Sequence, residues 1–317
     1  MGTPGERNRE FLINAILEFL RDQDLVTRRH VRAALEREID RAGADALLAL
    51  KTRLFADNGW DYYPRDPLAQ RIHHLLAERF LAQGSELREG HHLALVDRAP
   101  VVIVANHLSY ADANVIEVLL QRAGAGSMAN RLTALAGPKI FTSRERRFSS
   151  LCFGTIKVPQ SAEVASEDAV LNAREVARAA RRAIDVAEER LREGDALILF
   201  GEGTRSRTGE MQSMLPGAAR YLEVPGTWVL PAGLTGSEAL FSVETSALRP
   251  ARVMVELGRP LRADILCART NGNRRLMMDA LGLAVAETLP PEYRGFYRNA
   301  DEFPQASDLL RDMRLNG

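Results

Sequence analysis

Residues 101–112 read VVIVANHLSYAD: five apolar, mostly β-branched residues, then a polar turn carrying one histidine and one aspartate. A run this short and this apolar predicts a buried strand. His107 then stands at the carboxyl end of that strand, where α/β sheets collect their functional groups, and Asp112 falls near the first turn of a helix predicted over 112–123. A loop entering a helix can fold back over this spacing and bring the carboxylate to one ring nitrogen of His107. The other nitrogen is then a base: a neutral imidazole, with an ordinary pKa of about 6.5, can take a proton from a hydroxyl while the carboxylate fixes its tautomer and stabilises the imidazolium. The same spacing also arises by chance, as a structural histidine and an N-cap aspartate. The pair alone leaves both readings open.

Outward from this stretch, TIKV (155–158), ALILF (196–200), WVLPAG (228–233) and RVMVEL (252–257) are further short apolar or β-branched runs. Helical segments lie between them, over 112–123 and in a long stretch near 164–193 that ends at Gly194. The alternation predicts an α/β fold with a central, mostly parallel or mixed sheet flanked by helices. Residues 8 to about 88 read as helical throughout, because apolar positions recur at three- and four-residue spacing in FLINAILEFL, VRAALEREI, ALLALKTRLF and AQRIHHLLAERFL. Gly43, Gly59, Pro64 and Pro67 break this stretch into about four helices. The expected organisation is an N-terminal helical domain over 1–90 and an α/β domain over 91–317.

The 317 residues carry 42 basic and 42 acidic side chains and are 46% hydrophobic. Such a chain folds rather than staying disordered, and its zero net charge gives no global field toward nucleic acid or anionic lipid. Only Lys51, Lys139 and Lys157 are lysines; the other basic residues are arginines. Cys152 and Cys267 lie too far apart in sequence for a zinc knuckle or a disulfide framework, which suits a reducing cytoplasm. The run FLINAILEFL is cut short by Arg21, Asp22 and Asp24, and no stretch reaches the roughly 18 apolar residues of a membrane span. The expected location is therefore cytoplasmic, with a peripheral contact on the inner face of the membrane as the one membrane role open to it.

A second block, FGEGTRSRTGE (200–210), follows the strand ALILF and places Glu202, Gly203, Thr204, Arg205 and Arg207 on a turn at another carboxyl strand end. Its glycines let the backbone turn tightly and approach a ligand. Arg205 and Arg207 offer planar donors suited to phosphate, and Glu202 can hold a guanidinium or accept from a substrate hydroxyl. Taken alone it also reads as an exposed charged turn. A dinucleotide turn is disfavoured, since Ser206 stands where a third glycine or alanine belongs. His73-His74 and His91-His92 invite a metal, but neighbouring side chains on a helix point about 100° apart and are not expected to share one ion.

Together, NHLSYAD and FGEGTRSR resemble the glycerolipid acyltransferase family, which includes glycerol-3-phosphate and 1-acylglycerol-3-phosphate acyltransferases. The six-residue run EGTRSR is the more specific element, and it follows the histidine block in the family's order. SLCFGTIKVPQ (150–160), around Gly154, and WVLPAGL (228–234), around Pro231, look like two further family blocks. Three departures stand out. Gln160 replaces an arginine thought to grip the acceptor phosphate, Gly201 replaces the proline before Glu202, and Pro216 replaces a basic residue. Lys157 and the cluster Arg144, Arg146 and Arg147 are the nearby cations in sequence.

The resemblance implies His107 as general base, Asp112 as its partner, and a substrate site formed by Asn106, Gly154, Lys157, Glu202, Gly203, Thr204, Arg205, Arg207 and Pro231. It implies direct transfer of a fatty acyl group from a thioester donor, acyl-CoA or acyl carrier protein, to a hydroxyl of glycerol 3-phosphate or 1-acylglycerol 3-phosphate. No cofactor, metal or nucleic acid is called for. Two alternatives stand beside this expectation: transfer to a hydroxyl lipid without phosphate, and a non-catalytic lipid-binding protein of the same fold.

Overall fold

The computed structural model describes residues 4–142, 144–159, 172–241 and 247–315. Nine strands form one mixed sheet in them: β1 Tyr62–Tyr63, β2 Glu86–Arg88, β3 Val101–Ala105, β4 Leu132–Ala136, β5 Gly154–Lys157, β6 Ala196–Phe200, β7 Trp228–Thr235, β8 Met254–Leu257 and β9 Leu261–Arg262. The order is β1-β5-β4-β6-β3-β7-β8-β2, with β9 also on β7. Strands β5, β4, β6, β3 and β7 are mutually parallel, so their carboxyl ends share one edge, while β1, β8 and β9 join antiparallel.

Four helices precede β2: α1 Pro4–Leu17, α2 Leu25–Ala42, α3 Ala44–Phe55 and α4 Pro67–Phe80. Then follow α5 Asp112–Arg122, α6 Gly126–Asn130, α7 Arg144–Ser150, α8 Ala173–Arg192, α9 Ser237–Leu240, α10 Ala263–Arg269, α11 Arg274–Glu287 and α12 Pro304–Leu315. Local chemistry sets several of their starts. Asp24 accepts from the Thr27 amide to cap α2, Asp66 accepts from Leu68 and Ala69 ahead of α4, and Asn172 with Glu175 forms a capping box on α8. Gln160 and the expected start of the long helix near 164 lie outside the described residues.

Side chains alternate across β3 and divide the core in two. Val101, Ile103 and Ala105 pack with Leu12, Ile16, Leu35 and Ile72 of the N-terminal helices and with Ile116 of α5. Val102 and Val104 pack on the other face with Ala183 and Val186 of α8 and Met278 and Leu281 of α11. Residues 4–90 thus contribute helices α1–α4 to one outer layer of a three-layer sandwich, sharing their core with the sheet. They are also not helical throughout: β1 and β2 lie among them, too short for a two-residue period to show in the sequence. Strand β4 is a further addition to the expected set.

Two positions follow from close packing. Pro231 sits where the outer side of β7 passes from β9, which pairs Trp228 and Val229, to β8, which begins at Ala232. A residue without an amide donor fits such a gap. Gly154 begins β5 under Tyr62 and Thr133, where an added Cβ would meet Thr133 Oγ1 at 2.3 Å and Tyr62 Oη at 2.7 Å. Gly154→Ala is expected to destabilise the fold by about 1–3 kcal/mol through overpacking, read as a lower urea midpoint. An unchanged midpoint would contradict this tight packing.

Candidate active site

Asp112 is the first residue of α5 and has no exposed surface. Its Oδ2 lies 2.8 Å from His107 Nδ1 and accepts from the amides of Leu108 at 2.7 Å and Ser109 at 2.9 Å. Its Oδ1 accepts from the Ser237 hydroxyl at 2.6 Å. An ionised carboxylate only accepts, so Nδ1 of His107 carries the proton and Nε2 keeps its lone pair. The imidazole stacks on Phe200 at 4.1 Å with 15° between the planes, and its side chain remains 16% exposed. The folded-back loop expected from the sequence is realised by three donors besides the histidine.

Strands on either side of β3 hold the backbone of this turn. Asn106 Oδ1 accepts from Leu234 N at 2.7 Å and its Nδ2 donates to Leu234 O at 3.0 Å, extending the β3–β7 ladder by one side chain. On the β6 side, Glu202 Oε1 accepts from the His107 amide at 2.9 Å, and Ser206 N donates to His107 O at 2.8 Å. Glu202 Oε2 accepts from Gln212 N at 2.8 Å. Gly203 makes the turn possible: its φ is +69°, and a Cβ there would meet Leu215 Cδ1 at 2.4 Å.

A cavity of about 1050 Å³, partly open to solvent, faces His107; Lys139, Arg146, Gly203, Thr204, Arg205 and Arg207 are on its wall. Arg205 lies 3.7 Å from the Tyr110 ring and Arg146 4.7 Å from it. Arg205 Nη1 is buried without a hydrogen-bond partner among the described residues. Burial, with the Arg146 charge adding to it, lowers its hold on its proton below that of an ordinary guanidinium. An anion would relieve both. Next to this cavity lies an apolar one of about 720 Å³, reaching Phe19, Leu76, Phe80, Phe148 and Phe241, and the two share Tyr110, Asn114, Ile140, Arg146 and Ser149. A third space, about 1330 Å³ and partly open to solvent, also reaches His107 and Phe200 and is lined by Pro216 and Tyr221.

Of the residues expected at the site, His107, Gly203, Thr204, Arg205 and Arg207 line the cavity together. Asn106 and Glu202 do not face it as substrate ligands: both are buried, and their polar atoms hold backbone. Pro231 is buried within β7, and Gly154 is filled over by Tyr62 and Thr133. Lys157 opens on a separate depression with Arg144 and Arg147, its ammonium 4.8 Å from the Trp60 ring. Lys139, Tyr110, Phe200 and Ser237 were not singled out from the sequence. Tyr110 and Phe200 carried a signal through their places in the NHLSYAD and FGEGTRSR blocks, whereas Lys139 and Ser237 carried none.

The Glu202 carboxyl is pushed up to about 8 from an ordinary 4.5, chiefly by burial and then by the Asp112 charge, although the Gln212 and His107 amides oppose the shift. The folded state therefore binds this proton more tightly than the unfolded chain. Its stabilising share is complete below pH 4.5 and is lost as pH rises through about 8. Glu202→Gln lacks this dependence, so its unfolding free energy should gain on the native protein's between those limits, by a few kcal/mol at most. A difference flat with pH in urea titrations would refute the raised carboxyl.

Residues 88–235 match the family described as Acyltransferase. A 1-acyl-sn-glycerol-3-phosphate acyltransferase of Chlamydomonas reinhardtii is 32% identical over 119 residues, which are 37% of this chain and 34% of the relative. The match thus spans about a third of that relative's length. The crystal structure of the 1-acyl-sn-glycerophosphate acyltransferase of Thermotoga maritima is similar with a TM-score of 0.45 and 18% identity, over 90% of this chain and 98% of that one. The matched segment, somewhat under half of the chain, holds His107, Asp112 and the whole 200–207 turn, and it is similar to the glycerolipid acyltransferases.

Proposed function

We propose that the protein transfers a fatty acyl group from an acyl thioester, acyl-CoA or acyl carrier protein, to the free hydroxyl of 1-acylglycerol 3-phosphate. Glycerol 3-phosphate is the smaller acceptor of the same chemistry. The observation that carries this proposal is the juxtaposition at His107: a base tethered to a buried carboxylate, a cavity wall bearing Lys139, Arg146, Arg205 and Arg207, and an apolar space opening beside it. A lysophospholipid has those three parts, a hydroxyl, a phosphate and a chain. Where Gln160 departs from the family's arginine, these four cations are the groups that would bind the phosphate.

In the proposed step Nε2 of His107 takes the acceptor's hydroxyl proton as the oxygen attacks the thioester carbonyl. The C–S bond breaks and the thiolate leaves with that proton from His107, so the base is restored and no covalent acyl-enzyme forms. His107 lines two adjoining spaces, and we assign one to the acceptor and the other to the donor. Cys152 is unsuited as a nucleophile, since complete burial pushes its thiol well up. No metal or cofactor enters this sequence of events.

Among the described residues no helix is long and apolar enough to cross a membrane. Leu25, Val26, Leu48 and Phe55 of the N-terminal layer expose apolar side chains, and they are the groups we assign to a peripheral contact with the inner face of the membrane, where a lysolipid would be collected.

Purified protein, long-chain acyl-CoA or acyl carrier protein, and a panel of 1-acylglycerol 3-phosphate, glycerol 3-phosphate and 1-acylglycerol test the proposal. Phosphate acceptors should react and 1-acylglycerol should not; reaction with 1-acylglycerol alone would sink it. His107→Ala should lose about 10²- to 10⁴-fold in rate. Arg205→Ala should raise KM for the phosphate acceptor roughly tenfold or more while changing KM for the donor little. Equal effects on both KM values would remove Arg205 from the phosphate site.

A further inference from the structure

Helices α4 and α5 meet through a cluster outside the transfer chemistry. Adjacent residues on a helix ordinarily point apart, yet His73 and His74 both turn their Nε2 atoms to Glu117: His74 at 2.8 Å and His73 at 3.4 Å from Oε2. The angle between neighbouring side chains on a helix, which argues against one ion shared by the pair, does not keep the two rings from one carboxylate of α5. Glu117 has no exposed surface, whereas the His74 side chain is 35% exposed and opens the cluster to water. The ligand atoms of all three lie within 4.8 Å of one another.

We propose that His73, His74 and Glu117 form a binding site for a zinc-class divalent ion, with two imidazole nitrogens, one carboxylate oxygen and a fourth position left to water. Two histidines and one glutamate are an ordinary borderline-soft donor set, and tetrahedral zinc needs its ligands about 3.3 Å apart. Two of the three separations are already near that figure. Without metal the cluster is a hydrogen-bonded network: Gln70 Nε2 donates to Glu117 Oε1 at 2.9 Å, Gln121 Nε2 donates to it at 3.3 Å, and His73 Nε2 also lies 3.1 Å from Asn114 O. Binding moves each imidazole hydrogen from Nε2 to Nδ1, freeing the Nε2 lone pairs, and the two glutamines can stay on Oε1.

The place of the cluster gives the ion a consequence. His73 and Asn114 line the apolar cavity beside the catalytic pair, and α5 begins at Asp112. An ion pinning α4 to α5 would stiffen that cavity wall.

The test is independent of the acyl-transfer reading. Protein is equilibrated with micromolar zinc against a chromophoric chelator, and thermal unfolding is followed with and without zinc. Native protein and the His91→Ala/His92→Ala variant should bind one zinc per chain and gain Tm, while magnesium does neither. His74→Ala, which removes the partly exposed ring, should weaken binding at least tenfold and lose the Tm gain with unchanged circular dichroism; Glu117→Gln should do the same. No zinc on the native protein, equal binding by His74→Ala, or loss of binding only in the His91/His92 variant would each overturn the site.

Discussion

Everything at the candidate active site depends on a carboxylate with no access to water. Asp112 has its oxygens hydrogen-bonded by His107, two backbone amides and the Ser237 hydroxyl, and such a group is tolerated in a core only when its lone pairs are spoken for. Removing any one donor exposes the remaining charge to the low-dielectric interior. That penalty locks the geometry: the loop from β3 must fold back, α5 must begin where it does, and Nε2 of His107 must face outward as a base.

The sheet topology supplies the rest. Because β6 and β7 flank β3 in parallel, their carboxyl ends arrive beside His107. From β6 come Phe200 under the imidazole and Glu202 on its amide; from β7 come the Leu234 anchor for Asn106 and, just beyond the strand, Ser237. Three strands therefore fix one ring, and the cations of the 200–207 turn are delivered to the same wall. The N-terminal helices close the apolar side, which explains why they share a core with the sheet.

Much of this was legible in the sequence, and the gaps have physical reasons. Strands β3, β5, β6, β7 and β8 announce themselves as apolar runs, whereas LTALA of β4 mixes alanine and threonine and carries little β signal. His107 and Asp112 could be paired because a short loop joins them. Ser237 could not, since only the fold of β7 brings a residue 125 positions away to Asp112. Gly154, Pro231 and Asn106 were marked for a substrate role, yet their positions answer to close packing, to a gap between strands and to a buried ladder. A motif records that a residue type is needed at a position and is silent on whether substrate or backbone needs it.

The central claim is that Asp112 acts only through His107. It is tested most directly by a double-mutant cycle on the acyl-transfer rate with His107→Ala, Asp112→Asn and the double variant, each checked for folding. If the two residues work as one unit, the double variant should be no slower than His107→Ala alone. Losses that multiply, with the double variant slower by the product of the single effects, would contradict it.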